Sequence, residues 1–396
     1  MLAVRLQGSG PIAPFDEGAG ALPVLGRTLR EAQDEALAAA GFTLGDDISR
    51  PRLVFGENTF FTASLLRKLR KNGQTGRLRI RDERWLRMAA PLATDPSRPR
   101  IGFVNKGEPA TLDGLDDLDF DLQLQETPPA VVHPAFAHVV AEGGMVTGAA
   151  IAHDIEHWVH LVRVNLLGLT AKAAEITEQF NTAPWWWKVG RAAEVLWAAG
   201  WPSEARIHRA VCRIGRGAKI HPSAVVEVSE VGAGAVIGPL AVVRGSVVGE
   251  GATIDAHAHV VASSVGARAQ VGRGTHLALS VLAEGALVSQ GWGHQACVFG
   301  RDSFVAQGVT TLDLSFGGPI RVNLGLQRVS SGTHFLGSCV GHRAKVGAGV
   351  RLGYGMAVPN DALLVAPAAD LARRWPRPVQ GPATIADGEV VPVKGA

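Results

Sequence analysis

The fold of this chain is decided by a stretch that begins at Ile214 and repeats every 17 residues. The first five repeats read IGRGAKIHPSAVVEVSE (214–230), VGAGAVIGPLAVVRGSV (231–247), VGEGATIDAHAHVVASS (248–264), VGARAQVGRGTHLALSV (265–281) and LAEGALVSQGWGHQACV (282–298). Each repeat consists of two hexapeptides and one pentapeptide, and each of these starts with an apolar residue except at His294. Self-similarity at a fixed period predicts a solenoid in which each coil buries its apolar face against its neighbours.

The composition of the repeat predicts a triangular column with three short parallel strands per coil. The apolar first residue of each segment points inward, and the small residue four places later, usually Ala, fills a corner. Coils are expected to stack at strand spacing, about 4.8 Å. The pentapeptide side carries small polar residues that should stack inside and hydrogen-bond between coils: Ser229, Ser246, Ser263, Ser280 and Cys297. We therefore predict a parallel β-helix over residues 207–364.

The remaining chain divides around this region. The repeat breaks at residues 311–334, which predicts an excursion loop that leaves the column and returns before residues 340–356. Upstream, residues 1–150 predict an α/β domain and residues 151–206 a helical linker. Residues 365–396 form a Pro-rich tail.

Composition limits the classes of partner. Hydrophobic residues make up 46% of the 396 residues, charged residues 19%, and the formal net charge is only +3. No broad basic surface is implied, so nucleic acid is not an expected partner. No apolar run is long enough to span a membrane. The three cysteines lack metal-binding spacing and cannot form a disulfide framework, which indicates a reducing, cytoplasmic environment.

The repeat region resembles the left-handed β-helix of hexapeptide acyltransferases. Its end, GGPIRVNLG (317–325) followed by GTHFLGSCVGHRAKVGAGVRLGYGMAVPND (332–361), is similar to the last part of bifunctional sugar-1-phosphate nucleotidylyltransferase/N-acetyltransferases. That resemblance implies a homotrimer, acyl-CoA bound in the groove between adjacent columns, and a His that takes a proton from a sugar amine or hydroxyl. Backbone N–H groups would stabilise the oxyanion.

The N-terminal part is similar to the nucleotidyltransferase domain of the same family, in reduced form. ALPVLGRTLREAQDEALAAAGF (21–42), LVFGENTFFTASLLRKLRK (53–71) and IEHWVHLVRVNLLGL (155–169) carry this resemblance. Gly8 and Gly10 match the family's phosphate loop, but its Arg and Lys are missing between Arg5 and Arg27. The family's Gly-Asp, whose carboxylate holds Mg²⁺, reads Gly56-Glu57 here. Mg²⁺ is therefore expected only if this domain is active, and we favour a degenerate packing or binding module.

Two histidines of the repeat region are expected to be neighbours. His259 and His276 hold the same outward corner position on consecutive coils, 17 residues apart. Two adjacent imidazoles can bind a metal ion or lower one another's pKa. The alternative is an exposed corner pair without a function. His221 and His342 fall at second positions of hexapeptides and are expected at the surface.

Coil five breaks the repeat. His294 stands where earlier coils have Val or Leu, and Trp292 stands where they have Ala or Thr. Either this coil is distorted or both side chains turn outward. Rule-breaking positions in a strict repeat are candidates for function, the alternative being a tolerated corner insertion.

The family's catalytic Arg-His dipeptide aligns with Ser315-Phe316, so its His is absent. His294, His276 and His334 are the candidate replacements. Arg321, Asn323 and Lys345 are candidate substrate contacts, or else solvated polar groups.

Three functional hypotheses follow. The leading one is acyl-CoA-dependent transfer to a sugar or nucleotide-sugar by the β-helix. The second is a non-catalytic protein that binds a nucleotide or sugar, or acts as a scaffold. The third is a sugar-1-phosphate nucleotidylyltransferase with substituted catalytic residues.

Overall fold

The computed structural model describes residues 1–8, 10–127, 145–186, 190, 212–367, 369, 372, 383–387 and 389–393, with the side chains of residues 179–182 left aside. A small α/β domain occupies the N-terminal part, a long helix follows, and many short parallel strands form the C-terminal region. None of the helices in these ranges is both long and apolar enough to cross a lipid bilayer. The predicted linker end near residue 206 lies outside the described residues.

The α/β domain is built on one six-stranded sheet. The domain's strands are β1 Leu2–Leu6, β2 Pro11–Ile12, β3 Glu17–Gly18, β4 Pro23–Val24, β5 Arg27–Thr28, β6 Thr43–Leu44, β7 Arg52–Gly56, β8 Thr59–Phe61, β9 Gly76–Arg79, β10 Ile101–Val104, β11 Asp117–Asp119, β12 Gln125–Thr127, β13 Met145–Thr147 and β14 Ala152–Asp154. Its helices are the 3-10 turn Ala19–Ala21 and the α-helices α1 Leu29–Ala39, α2 Ala63–Asn72 and α3 Glu83–Ala89. The sheet order is β11-β9-β10-β7-β1-β6, and β7 is buried along its whole length.

Local sequence explains where the helices of this domain begin and end. Thr28 caps α1 through a capping box with Glu31, in which each side chain bonds the other residue's backbone N–H. Thr62 caps α2, and Gly73 ends it in the left-handed conformation. The parallel strands β1 and β7 end side by side at Leu6 and Gly56, and Gln33 of α1 donates to Gly56 O at 3.2 Å.

A long helix follows the strands of the α/β domain. The helix α4 spans Trp158–Thr182, which is 25 residues, and its apolar residues recur at helical spacing. The buried members of this stripe are Trp158, Val159, Leu161, Val164, Leu167 and Ala171. They belong to the same core cluster as the α/β domain, so this first part of α4 is an integral part of that domain.

The repeat region consists of stacked parallel strands in three sheets. The first sheet contains β15 Arg213–Ile214, β18 Glu230–Val231, β21 Val247–Val248, β24 Ser264–Val265, β27 Val281–Leu282, β30 Val298–Phe299, β35 Cys339–Val340 and β38 Ala357–Val358. The second contains β16 Lys219–Ile220, β19 Val236–Ile237, β22 Thr253–Ile254, β25 Gln270–Val271, β28 Leu287–Val288, β31 Phe304–Val305, β36 Lys345–Val346 and β39 Leu363–Leu364. The third contains β17 Val225–Glu227, β20 Val242–Arg244, β23 His259–Val261, β26 His276–Ala278 and β29 Gly293–Gln295, and is followed by the pair β32 Thr310–Thr311 and β37 Arg351–Leu352.

The register of these sheets confirms the 17-residue repeat. Val231 pairs with Val248, and Val248 pairs with Val265, each 17 residues further along the chain. The apolar residues that start each segment are buried almost completely from coil two onward. Three stacked parallel sheets around one apolar interior are compatible with the predicted parallel β-helix.

The predicted polar column is present and buried. The backbone N–H of Ser246 donates to Ser229 Oγ at 3.1 Å, and Ser263 and Ser280 repeat this contact one coil further each time. Each hydroxyl in turn donates to a carbonyl of its own coil, as Ser246 Oγ does to Arg244 O at 2.7 Å. Every hydroxyl therefore has a donor and an acceptor, so the column links coils without an unsatisfied buried group.

The α/β domain packs on the outward side of the first sheet. The outward residues of five consecutive strands of this sheet, β21 to β35, are apolar or small and under 6% exposed: Val247, Ser264, Val281, Val298 and Cys339. Val281, Val298 and Cys339 belong to the core cluster of the α/β domain. The sequence signal for this interface was the run of apolar outward residues on one sheet only.

The predicted excursion at residues 311–334 contains a hairpin, formed by β33 Arg321–Leu324 and β34 Gln327–Ser330. Its neck is closed by a bridge between Leu314 and Phe335. Ile320 and Val322 are buried against the α/β domain, so the hairpin fills the corner between the two units. In the tail, β40 Ala383–Ala386 pairs with β41 Glu389–Pro392.

Candidate functional site

The third sheet carries the predicted pair of histidines. His259 and His276 are directly opposite each other on β23 and β26, and both side chains are exposed. Their ring centroids are 5.9 Å apart at an interplanar angle of 27°. Burial, followed by the proximity of His259, lowers the pKa of His276 below its usual value. The lowered pKa favours the neutral form of the His276 imidazole, which faces solvent.

Coil five has the local distortion that was one of the two predicted outcomes. Trp292 turns outward and is 72% exposed, whereas His294 points inward and is 1% exposed. The equivalent corners of other coils place Leu240, His257, Gly274 or Gly308 at positive φ, and Gly291 does not adopt that conformation. The backbone of this corner therefore takes a different path. The indole of Trp292 does not occupy the inward slot that Ala or Thr fills in the earlier coils.

His294 is part of the interior of the repeat region. Its ring packs edge-on against Phe299 with centroids 5.5 Å apart, and its Nδ1 lies 3.2 Å from Thr311 Oγ1. Burial lowers its pKa to about 4. A neutral imidazole enclosed in this way has no path to an acceptor outside, although sequence analysis made His294 the first candidate base.

The outward neighbours of His276 leave space above its ring. Gly293 pairs with His276 on the next coil, and Trp292 directly precedes Gly293. A Cβ at Gly293 would meet nothing closer than His276 Cβ at 3.8 Å. Because Gly293 has no side chain, the outward side over His276 is open, and Trp292 stands one residue before the position opposite His276.

The other predicted residues of the repeat region lie elsewhere. His334 is half-buried in the neck of the excursion, where its Nδ1 is 3.3 Å from Ser315 O. Arg321 is exposed and donates to Arg328 O across the hairpin at 2.5 Å.

Asn323 is exposed, and its backbone carbonyl lies 3.0 Å from His157 Nε2. Lys345 is exposed on the second sheet, between Phe304 and Leu363. The structure thus places His276 on the coil next to Trp292 and His294, with His294 pointing inward, and it places the remaining four elsewhere.

The candidate nucleotide site lies where β1 and β7 end. Glu57 follows β7, and its backbone N–H donates to Leu6 O at 2.9 Å. Its carboxylate pairs with Arg30 at 2.5 Å, and a Cβ at Gly20 would lie 2.5 Å from the same oxygen. Gly8 also packs against Glu57. Arg30 was not predicted as a partner of Glu57, because no sequence motif marks the second residue of α1 for this contact.

Mg²⁺ is usually held by one or two carboxylates together with substrate phosphates and water. Here the carboxylate of Glu57 is paired with Arg30, and within the described ranges no three His, Cys, Asp or Glu side chains converge on a common point. A magnesium ion would therefore have to displace Arg30 from Glu57 and take its other ligands from substrate or water. Gly10 adopts a positive φ with open space around it, and Ser9 between the two glycines lies outside the described residues.

A polar junction fastens the α/β domain to coils six and seven. Arg301 donates to both carboxylate oxygens of Glu17, and His342 Nε2 donates to Glu17 Oε1 at 2.9 Å. His342 is 2% exposed, so its predicted surface location was wrong. The α/β domain covers its corner, and the ring of Phe15 lies 4.8 Å from the imidazole. Burial opposes the charge of Glu17, but the bonds to His342 and Arg301 outweigh it and lower its pKa to about 2.

A second junction centres on Asn165 of α4. Its Oδ1 accepts hydrogen bonds from Leu25 N at 2.7 Å and from Ser264 Oγ at 2.6 Å. Its Nδ2 donates to Leu161 O at 2.8 Å and Pro23 O at 3.3 Å. This one amide therefore joins α4, the α/β domain and the first sheet. Asn165 lies in the segment 155–169 that carries the family resemblance, and in the structure it has a packing role.

Three further histidines, His153, His157 and His160, are buried near the start of α4. Each ring has both nitrogens within hydrogen-bond distance of a partner, for example His160 with Glu156 N at 3.1 Å and Pro91 O at 3.1 Å. Burial, followed by nearby cationic groups, lowers the pKa of His153 to about 3. These residues are held neutral by packing and hydrogen bonds.

A groove of about 720 Å³ runs between the α/β domain and the turns of the repeat region. Its charged rim includes Arg27, Arg213 and Glu230, and Lys172 donates to Glu230 at 2.7 Å. These charges already have partners, and the groove lies on a different sheet from His276.

Comparison with known proteins adds no identity: no protein-family model and no curated protein matches this chain.

Proposed function

We propose that this protein is an acyltransferase of the hexapeptide-repeat type, with a left-handed β-helix that transfers an acyl group from acyl-CoA to a sugar or nucleotide-sugar amine. The observation that carries the proposal is that a solvent-facing His276 and an outward Trp292 lie on adjacent coils, with Trp292 one residue before Gly293, the ladder partner of His276. The 17-residue repeat, the burial of its apolar columns and the resemblance to hexapeptide transferases support the handedness and the reaction class.

His276 is the general base in this proposal. Its pKa is below the usual value, and neither of its ring nitrogens hydrogen-bonds another described group, so a lone pair is free to accept a proton. The acceptor amine attacks the thioester carbonyl and forms a C–N bond. His276 takes the amine proton, the C–S bond breaks, and the proton passes to the departing CoA thiolate. A positioned base of this kind contributes about 10²–10⁴-fold to rate.

Trp292 is the binding element for the acyl donor. The indole of Trp292 is 72% exposed, so its face is available to a ligand. It offers a flat face for the adenine ring or an apolar edge for the pantetheine arm. The open space over Gly293 gives the thioester access to His276.

A homotrimer completes the site. The α/β domain covers the first sheet, so the third sheet is free to face a neighbouring copy. In that arrangement the acyl-CoA lies in the groove between two columns. We place the base at His276 rather than His294 because only His276 reaches solvent.

The α/β domain is proposed to be a packing module, in agreement with the degenerate phosphate loop. Glu57 is neutralised by Arg30, and the domain's core continues onto the first sheet. Incubation with sugar 1-phosphates, each of the four NTPs and Mg²⁺ should release no pyrophosphate. Pyrophosphate release from any pair would restore the nucleotidyltransferase hypothesis.

The decisive assay measures free CoA thiol. Acetyl-CoA is incubated with the full chain and a panel of amino sugars and nucleotide amino sugars. Thiol release should depend on an acceptor and fall at least 100-fold in His276→Ala. The control His221→Ala changes an exposed histidine on coil one, bonded to Ser223, and should retain full activity. If no acceptor supports thiol release and acetyl-CoA does not bind, the non-catalytic hypothesis takes its place.

A further inference from the structure

The geometry points to a binding site for a single first-row transition-metal ion, such as Zn²⁺, Ni²⁺ or Cu²⁺, between His259 and His276. The two residues are paired across β23 and β26, so their backbones are held at ladder spacing, about 4.8 Å. Both side chains are exposed and face the same side of the third sheet. Imidazole nitrogen is a preferred ligand for these ions.

The observed separation is close to what a metal ion requires. An ion about 2.1 Å from a ring nitrogen lies about 3.2 Å from the ring centroid, so two ligands at a tetrahedral angle have centroids about 5.2 Å apart. The centroids are 5.9 Å apart in the structure. The required closure is under about 1 Å, and exposed rings can rotate to aim their lone pairs at one point. Two protein ligands leave further coordination positions for water or another ligand.

The ring nitrogens of this pair are free, which distinguishes the pair from most described histidines. His221 bonds Ser223 Oγ at 2.8 Å, and His342, His294 and His334 all have bonded ring nitrogens. His257, at the corner of the same coil as His259, is also exposed and unbonded, but it lacks a histidine opposite it in the ladder. It therefore provides a matched control.

Metal binding has a consequence for the proposed acyl transfer, and this consequence alone rests on the proposed function. An ion bound to His276 occupies the lone pair that would accept the amine proton. Micromolar zinc should therefore inhibit thiol release, and a chelator should restore it. Binding itself is independent of catalysis and is tested without any acyl donor.

The test is calorimetric titration of the full chain, without an affinity tag, with Zn²⁺ at pH 7.5 in a non-chelating buffer. One site per chain is expected to weaken at least ten-fold in both His259→Ala and His276→Ala. The same site should persist in His257→Ala, and it should weaken as the pH falls towards 5, because protons compete for imidazole. Unchanged zinc binding in the two pair variants, absence of binding in the wild type, or loss in the His257 variant would each overturn the inference.

Discussion

His342 Nε2 lies 2.9 Å from Glu17 Oε1, and this contact joins coil seven of the repeat region to a hairpin of the α/β domain. The other ring nitrogen, Nδ1, accepts the backbone N–H of Arg301 at 2.7 Å. The imidazole must therefore carry its proton on Nε2 and donate it to the carboxylate. Together with the Arg301–Glu17 pair, this contact links the α/β domain to the repeat region.

Glu17→Gln should destabilise the whole protein. The substitution leaves Arg301 and His342 without a charged acceptor in a largely enclosed junction, which costs about 1.5–3 kcal/mol. The carboxyl pKa is about 2 in the folded protein and 4.5 ordinarily, so its stabilisation is present above pH 4.5 and is lost as pH falls through 2.

Chemical denaturation at pH 7 and pH 3 measures this effect. The gap between wild type and Glu17→Gln should narrow at pH 3. Asp16→Asn is the control, because Asp16 is exposed, adopts a positive φ that Asn tolerates, and makes no side-chain contact with the repeat region. Equal stabilities of wild type and Glu17→Gln at pH 7 would contradict the role of this junction.

Asn165→Leu should cost more than Ser264→Ala. The Leu variant leaves the Leu25 N–H and the Ser264 hydroxyl without a buried acceptor, at about 1–3 kcal/mol for each group. Ser264→Ala removes one donor and leaves Asn165 Oδ1 still bonded to Leu25. Urea denaturation of both variants gives the comparison, and a smaller loss for Asn165→Leu would show that the amide does not join the two units.

His294→Leu should remove part of the protein's acid sensitivity. Burial lowers the folded-state pKa of His294 to about 4, below the ordinary value of 6.5. The unfolded chain then binds more protons between these two values, so stability falls as pH drops from 6.5 towards 4. One such group contributes about 1.4 kcal/mol per pH unit. Leu occupies the equivalent position of the preceding coil, so the variant should fold.

Denaturation midpoints between pH 7.5 and 4.5 test this prediction. The free energy of unfolding of the Leu variant should fall less steeply with decreasing pH than that of wild type. The difference in slope should correspond to about one proton, because His153 contributes equally to both proteins. Asp154 has a pKa raised to about 6, chiefly by burial, and acts in the opposite direction in wild type and variant alike. Identical pH slopes would show that His294 is not buried as a neutral group. The variant should also keep wild-type thiol release.

Gly293→Val should block ligand access without harming the fold. The position faces outward at ordinary φ, and a Cβ there has its nearest contact at 3.8 Å. Val is favoured in strands, so thermal stability should change by less than about 1 kcal/mol. The branched side chain would cover His276, and thiol release should fall at least ten-fold. Full activity in this variant would place the reaction elsewhere.

The repeat could be predicted from sequence because each coil repeats the same physical constraints. The inward apolar columns, the buried Ser column and the His259–His276 ladder pair all follow from a period of 17, and the structure confirms each of them. Trp292 and His294 predicted that coil five either is distorted or turns both side chains outward, and in the structure only Trp292 turns outward. The smaller imidazole fits the interior beside Phe299, and the indole does not.

Contacts between distant segments could not be predicted in this way. The surface location expected for His342 was wrong because Glu17 and Phe15, more than 320 residues earlier, cover it. The pairing of Arg30 with Glu57 was not predicted either, because the two residues are 27 positions apart and only the folded α/β domain brings them together. Periodicity describes one coil against the next and contains no information about a second domain.

The most direct test of the proposed site is calorimetric titration of the full chain with CoA, compared between wild type and Trp292→Ala. The indole is 72% exposed, so its removal should leave the thermal midpoint unchanged and weaken CoA binding at least ten-fold. Trp292→Phe should keep most of the affinity. If wild type binds no CoA, or if Trp292→Ala binds it as tightly as wild type, the third sheet is not the acyl-donor site.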